Sequence, residues 1–164
     1  MIAFTNGKER FVYRVAGVAL DGDRVLLHRC ESDDFWALPG GRAELMETAA
    51  DTLRREMSEE IGVDVEVQRL LWVVENFFED ANLAYHELGL YFLMALPANC
   101  SLRIQESFCG QELYLDGTQQ TIKLIFQWFP VDCLSSVPLF PSFLRRALRS
   151  LPQSTKHIVH RDVE

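Results

Sequence analysis

The chain predicts an α+β fold in which helices cover a mixed β-sheet. Three observations carry that prediction. Residues 11–29 read as two apolar runs joined by a tight turn, residues 46–61 are apolar at helical spacing, and strand-like runs follow as far as residue 129. No stretch of linker composition separates them, so residues 1–164 read as a single domain, a size that can bury one core.

Residues 11–20, FVYRVAGVAL, are rich in β-branched and aromatic side chains. Asp21-Gly22-Asp23 supplies a turn, and residues 24–29, RVLLHR, form the returning strand. After the helical stretch, residues 63–78 predict one long or bent strand, closed by a turn at Glu79-Asp80-Ala81-Asn82. Residues 86–96, HELGLYFLMAL, predict another strand, which Pro97 ends. Residues 99–120 are polar and read as irregular, with an Asp116-Gly117 turn. Residues 121–129, TIKLIFQWF, return as a strand. Leu144, Ala147, Leu148 and Leu151 mark a second amphipathic helix starting near Pro141 and stopped by Pro152. The tail, KHIVHRD, suits an edge strand.

Composition bounds the function. With 48% hydrophobic and 24% charged residues, the chain is of ordinary globular type. A net charge of −8 argues against general nucleic-acid binding through a basic surface. Nucleotides remain open, because a cation can mediate between acidic protein and phosphate. Cys30, Cys100, Cys109 and Cys133 form no CxxC pair, so free thiols in a reducing compartment are expected. The N-terminus lacks the apolar core of a signal peptide, and no run of about 18 apolar residues offers a membrane span. The expectation is a cytoplasmic enzyme without membrane contact.

The 46–61 stretch carries the chemistry. Wound at about 100° per residue, Met46, Ala49, Ala50, Leu53 and Met57 fall on one stripe. Glu60 projects between Ala49 and Leu53, and Glu56 lies at the stripe's edge. Arg55 and Glu59 lie further round. A charge run is usually a solvated face. Carboxylates bordering a buried stripe are costly unless something pairs them, and two of them one turn apart repel. A divalent cation relieves both problems, and oxygen-only ligands favour a hard ion, Mg2+ or Mn2+.

The residues around this helix resemble a known family. Gly41, Glu47, Arg55, Glu56, Met57, Glu59, Glu60, Gly62 and Val63 match every defined position of the Nudix box, G-x5-E-x7-R-E-U-x-E-E-x-G-U, where U is apolar. The preceding Trp36-Ala37-Leu38-Pro39-Gly40-Gly41 resembles the W-x-L-P-G-G lead-in of many members. The resemblance implies an α/β/α sandwich and hydrolysis of a pyrophosphate bond in a nucleoside diphosphate linked to a second moiety, X. It implies Glu56 and Glu60 as metal ligands, Glu59 as a ligand or the base, and the Gly40 carbonyl as a further ligand. It implies Arg55 as the residue that orients the carboxylates, and Glu47 as a structural or outer partner. Where members often carry Pro-Gly before the first box glutamate, this chain has Leu45-Met46. Simple packing is the plainer reading of that pair, and an apolar lip on the site is the other.

A base or ligand outside the box is common in the family, and Glu87, Glu75, Glu112 and Asp116 are the candidates. His86 and Glu87 are adjacent on a strand and should point to opposite faces. For a nucleobase, the candidates are Phe35, Phe77, Phe78, Tyr85 and Tyr91, against the plainer reading of core aromatics. Trp36, Trp72 and Trp128 read as core. The family's short signatures for NADH, ADP-ribose and coenzyme A are absent, and Tyr85 is only a loose match to the tyrosine of dinucleoside polyphosphate hydrolases. Residues 99–120 are the candidate substrate-selecting loop, with a distal hairpin extension or a homodimer contact as the alternatives. Two functions follow: a Mg2+-dependent pyrophosphohydrolase, or a non-catalytic Nudix domain that binds a nucleotide. The intact carboxylate set favours the enzyme.

Overall fold

The computed structural model describes residues 1–114 and 120–162. Among them, nine strands form one mixed sheet: β1 (Ala3–Asn6), β2 (Glu9–Asp21), β3 (Arg24–Cys30), β4 (Gly40–Arg42), β5 (Glu66–Asp80), β6 (Leu83–Ala95), β7 (Ser107–Tyr114), β8 (Gln120–Pro130) and β9 (Lys156–Arg161). Helix α1 (Ala49–Ile61) follows β4, and a single turn, α2 (Leu144–Ala147), precedes β9. The sheet runs β7-β8-β3-β2-β6-β5-β9, with β1 and β4 also paired to β2. The β2–β6 and β5–β9 pairs are parallel.

The expected hairpin forms and then forks. β2 and β3 pair only through Leu20 with Val25 and Asp21 with Arg24. Further along, β2 pairs with β4, Arg14 facing Arg42 and Ala16 facing Gly40. β3 meanwhile pairs with β8. The fork lets the segment that leads into α1 enter against β2.

Side-chain alternation builds a core on each face of the sheet. Val15, Ala19 and Leu26 meet Leu53 and Met57 of α1, together with Phe126 and Trp128. Ala16, Val18 and Leu27 point the other way and meet Trp72, Tyr91 and a short-helical layer carrying Leu134, Leu139, Leu144 and Leu148. Leu53 and Met57 are fully buried, each worth roughly 1.5–3 kcal/mol of burial. The sandwich implied by the sequence is therefore the one observed.

Three expectations change. The box helix starts at Ala49, not Met46, because Thr48 caps it by accepting from the Asp51 N–H. Met46 lies outside it with φ +65° and is fully exposed, so it is not part of the apolar stripe. The second helix shrinks to one turn. It has no acid in its first turn to complement the helix dipole, and no side chain caps it.

Among the described residues, 99–114 are not an irregular loop. Ser107–Tyr114 is strand β7, antiparallel to β8. Its polar residues misled because an edge strand alternates: Cys109 and Gln111 are exposed, while Phe108 and Gly110 turn inward. The Asp116-Gly117 turn and the candidate Asp116 lie outside the described residues.

The strands expected over 63–78, 86–96 and 121–129 and in the tail form, whereas β1 and β4 were not predicted. β5 is long and bent, with register shifts between Val67 and Trp72 against β6. Ala81 and Asn82 make the turn with positive φ at both positions, as a tight hairpin requires. No helix among the described residues is long and apolar enough to cross a membrane.

Candidate active site

The site assembles where β4 hands over to α1. Gly40 has φ +148°, and a Cβ there would lie 2.1 Å from the Val15 carbonyl oxygen, so only glycine lets β4 lie this close to β2. Gly62 closes α1 in the left-handed conformation, at φ +67°.

Arg55 is the hub of the carboxylates. It donates to Glu47 through Nε at 2.9 Å and a terminal nitrogen at 3.0 Å, a two-pronged contact. Its other terminal nitrogen donates to Glu56 at 2.8 Å and Glu59 at 3.3 Å, and Arg55 also reaches the Arg42 carbonyl at 3.1 Å. These contacts tie the helix to β4. Glu47 accepts from the Thr52 hydroxyl as well, at 2.8 Å. The Arg55 guanidinium holds the Glu47 carboxyl down at about 2.

Glu56 and Glu60 are 8% and 6% exposed, while Glu59 faces solvent. Burial pushes Glu56 up to about 7, although Arg55 opposes it. Burial pushes Glu60 up to about 8, with the charge of Glu112 adding to it. Glu60 Oε2 is buried without a hydrogen-bond partner. Two buried carboxylates on one helix face, one with an orphaned oxygen, are the donor chemistry that suits a hard divalent cation. Among the described residues, no three His, Cys, Asp or Glu side chains converge closely enough to hold a metal ion as they stand. The fit therefore rests on the Glu56–Glu60 pair.

Of the carboxylates outside the box, Glu112 of β7 bears on Glu60 and His28. Gly110 allows this approach: a Cβ there would lie 2.7 Å from the Glu60 carbonyl oxygen. Glu87 of β6 faces Asn76 across the β5–β6 pair and is coupled to Arg14 and Arg42, with burial raising its pKa. Glu75 lies apart, 2.8 Å from His157 at the β9 edge. His86 shares a sheet face with Phe77, on which it stacks at 4.5 Å, so it turns away from Glu87.

The aromatic candidates separate. Tyr91 is core, at 2% exposed, as are Trp72 and Trp128, while Trp36 is partly buried. Phe78 and Tyr85 stack on each other at 4.8 Å as a cross-strand pair. Phe35 is 42% exposed and meets the exposed Phe140 edge-on at 6.1 Å. Leu45 and Met46 are also exposed, so they do not pack and the plainer reading of that pair fails.

Two residues at the site, Arg14 and His28, escaped the sequence reading, as did Phe140 beside Phe35. Arg14 donates to the Leu38 carbonyl at 3.0 Å and lies 3.4 Å from His28 Nε2. His28 is buried, and its pKa is driven down to about 3 by burial and then by Arg14, so the ring is neutral. A lone arginine inside the apolar run FVYRVAGVAL was the available signal. Phe140 had none.

Comparison with known proteins agrees with this fold. Residues 10–150 match the NUDIX domain. A 62-residue stretch is 37% identical to a putative ADP-ribose pyrophosphatase, YjhB, of Bacillus subtilis, covering 38% of this chain and 30% of that protein. A 63-residue stretch is 44% identical to a MutT-like protein of Streptomyces ambofaciens, covering 38% of this chain and 41% of that protein. The matches thus span less than half the length of these two relatives. Among solved structures, an ADP-ribose pyrophosphatase from Streptococcus suis superposes with a TM-score of 0.56 at 18% identity, over 90% of this chain and 98% of that one. With the domain match running through most of its length, the chain belongs to the Nudix hydrolase family.

Proposed function

We propose that this protein is a Mg2+-dependent pyrophosphohydrolase acting on a nucleoside diphosphate linked to a second moiety, with Mn2+ able to substitute. The observation that carries the proposal is the Glu56–Glu60 pair, two carboxylates buried on one helix face with an oxygen of Glu60 unpartnered. Relatives named as a putative ADP-ribose pyrophosphatase and an 8-oxo-dGTP diphosphatase support the same reaction class.

Glu56 and Glu60 would hold the cation, with the Gly40 carbonyl as a further ligand. The bound cation would neutralise the diphosphate and acidify water. Arg55 orients Glu56 and Glu59 by donating to both. Glu59, exposed beside them, accepts the proton of the attacking water. Water adds to one phosphorus, the anhydride P–O bond breaks, and two phosphate monoesters leave. Glu112 is the carboxylate outside the box best placed to add charge at Glu60. The exposed Phe35–Phe140 pair offers aromatic faces for a nucleobase. All four cysteines are free, which supports action in the reducing cytoplasm.

The test is product release from a panel of nucleoside diphosphate derivatives and dinucleotides, with Mg2+ and with a chelator. Cleavage of at least one substrate that the chelator abolishes is the expected result. Tight nucleotide binding with no cleavage across the panel would instead identify a binding module.

A further inference from the structure

The fork between β2 and β3 brings together three polar side chains from separate elements: Arg14, His28 and Glu60. His28 Nδ1 and Glu60 Oε2 lie 3.7 Å apart, and each is buried without a hydrogen-bond partner. An orphaned buried polar atom is costly, and two facing each other call for an explanation.

The far side of the ring supplies it. Arg14 lies 3.4 Å from His28 Nε2. A guanidinium carries donors only, so Nε2 must be the acceptor. A neutral imidazole has a single N–H, which then sits on Nδ1, facing Glu60. A doubly protonated ring would set a second cation against Arg14. Arg14 is itself anchored to the Leu38 carbonyl, in the segment just before Gly40. Phe126 packs against the ring at 5.3 Å and limits its rotation.

We infer that His28 is a positioning residue for Glu60: its Nδ1–H is aimed at Glu60 Oε2, and Arg14 selects that tautomer from the opposite edge of the ring. The inference rests on the metal-dependent reading above, in which Glu60 is a ligand. Contraction by about 0.5–1 Å completes the hydrogen bond, since such contacts are often loose before a site is filled. Holding one carboxyl oxygen fixes the plane of the group and leaves its remaining lone pairs for a cation. It also links the lead-in segment to the helix through a single chain of contacts, Leu38 to Arg14 to His28 to Glu60.

Two measurements on the full chain test this, and neither needs a nucleotide, so a failure of hydrolysis is separable from a failure of this assignment. The first is long-range proton–nitrogen NMR of the imidazole at neutral pH. Expected is a protonated Nδ1 and an unprotonated Nε2 for His28 in the wild type, with the preference weakened in Arg14→Met. A wild-type ring protonated at Nε2 overturns the inference. The second is Mn2+ titration of the wild type, His28→Phe and His28→Asn, with melting curves for each. Phe fills the volume without a donor and should weaken Mn2+ binding by about tenfold or more. Asn restores a donor and should recover most of that loss. Unchanged binding in the Phe variant, or no recovery with Asn in a folded protein, would show that His28 merely fills space.

Discussion

Gly41 and Glu56 compete for one volume: a Cβ on Gly41 would lie 2.2–2.4 Å from the Glu56 carboxyl atoms. The glycine thus makes room for a carboxylate fourteen residues after the last residue of β4. Gly41→Ala should push Glu56 out of place and lower turnover by at least about tenfold, one decade being about 1.4 kcal/mol of barrier. Steady-state rates on a cleaved substrate check this. Wild-type turnover would mean that Glu56 need not sit where it does.

Glu56→Gln and Glu60→Gln should each lower turnover by about a hundredfold or more, in line with the loss of a preorganised electrostatic group. Neither should lower stability at pH 8, because burial already disfavours both charges. Kinetics at saturating Mg2+, paired with melting curves, separates the two effects. Near wild-type rates in either variant would sink the ligand assignment.

The carboxylates predict opposing pH effects on stability. Glu47, held down at about 2, stabilises the fold above its ordinary 4.5 and loses that contribution as pH falls toward 2. Glu56 and Glu60, pushed up to about 7 and 8, act in reverse. Their contribution is present below 4.5 and is lost as pH rises through 7 to 8. In chelator, both glutamines should therefore flatten the fall in melting temperature between pH 5 and 8. Mg2+ should oppose the same fall in the wild type. Identical pH profiles for the wild type and both variants would refute the burial argument.

Leu53→Ala should cost about 2–5 kcal/mol, because Leu53 is fully buried in the core that docks α1. Chemical denaturation measures it directly. A loss below 1 kcal/mol would mean that α1 is not held by this stripe.

Met46→Gly should be neutral or stabilising by up to about 1 kcal/mol. Met46 holds φ +65° and is fully exposed, so glycine relieves left-handed strain of about 1–2 kcal/mol at an entropic cost of about 0.5–1. Thermal melting decides, and a drop of several degrees would mean that the Met46 side chain makes contacts the fold needs.

Sequence alone determined the family through nine positions at fixed spacing, and it determined most of the strands. It also determined that Glu56 and Glu60 face inward while Glu59 faces out, because helical periodicity is a local property. What it misjudged was also local in character, but hidden. The Thr48 cap shortened α1, left-handed Met46 fell outside the stripe, and the alternation of β7 was masked by the polar residues of an edge strand. Only the tertiary structure decided what surrounds the carboxylates. Arg14, His28 and Glu112 come from β2, β3 and β7, and the fork between β2 and β3 is what directs them toward Glu60. Burial shifts the ionisation of His28 and Glu60 and leaves an atom of each without a partner. Both effects depend on which distant strands exclude water from one place, and no spacing within the chain encodes that.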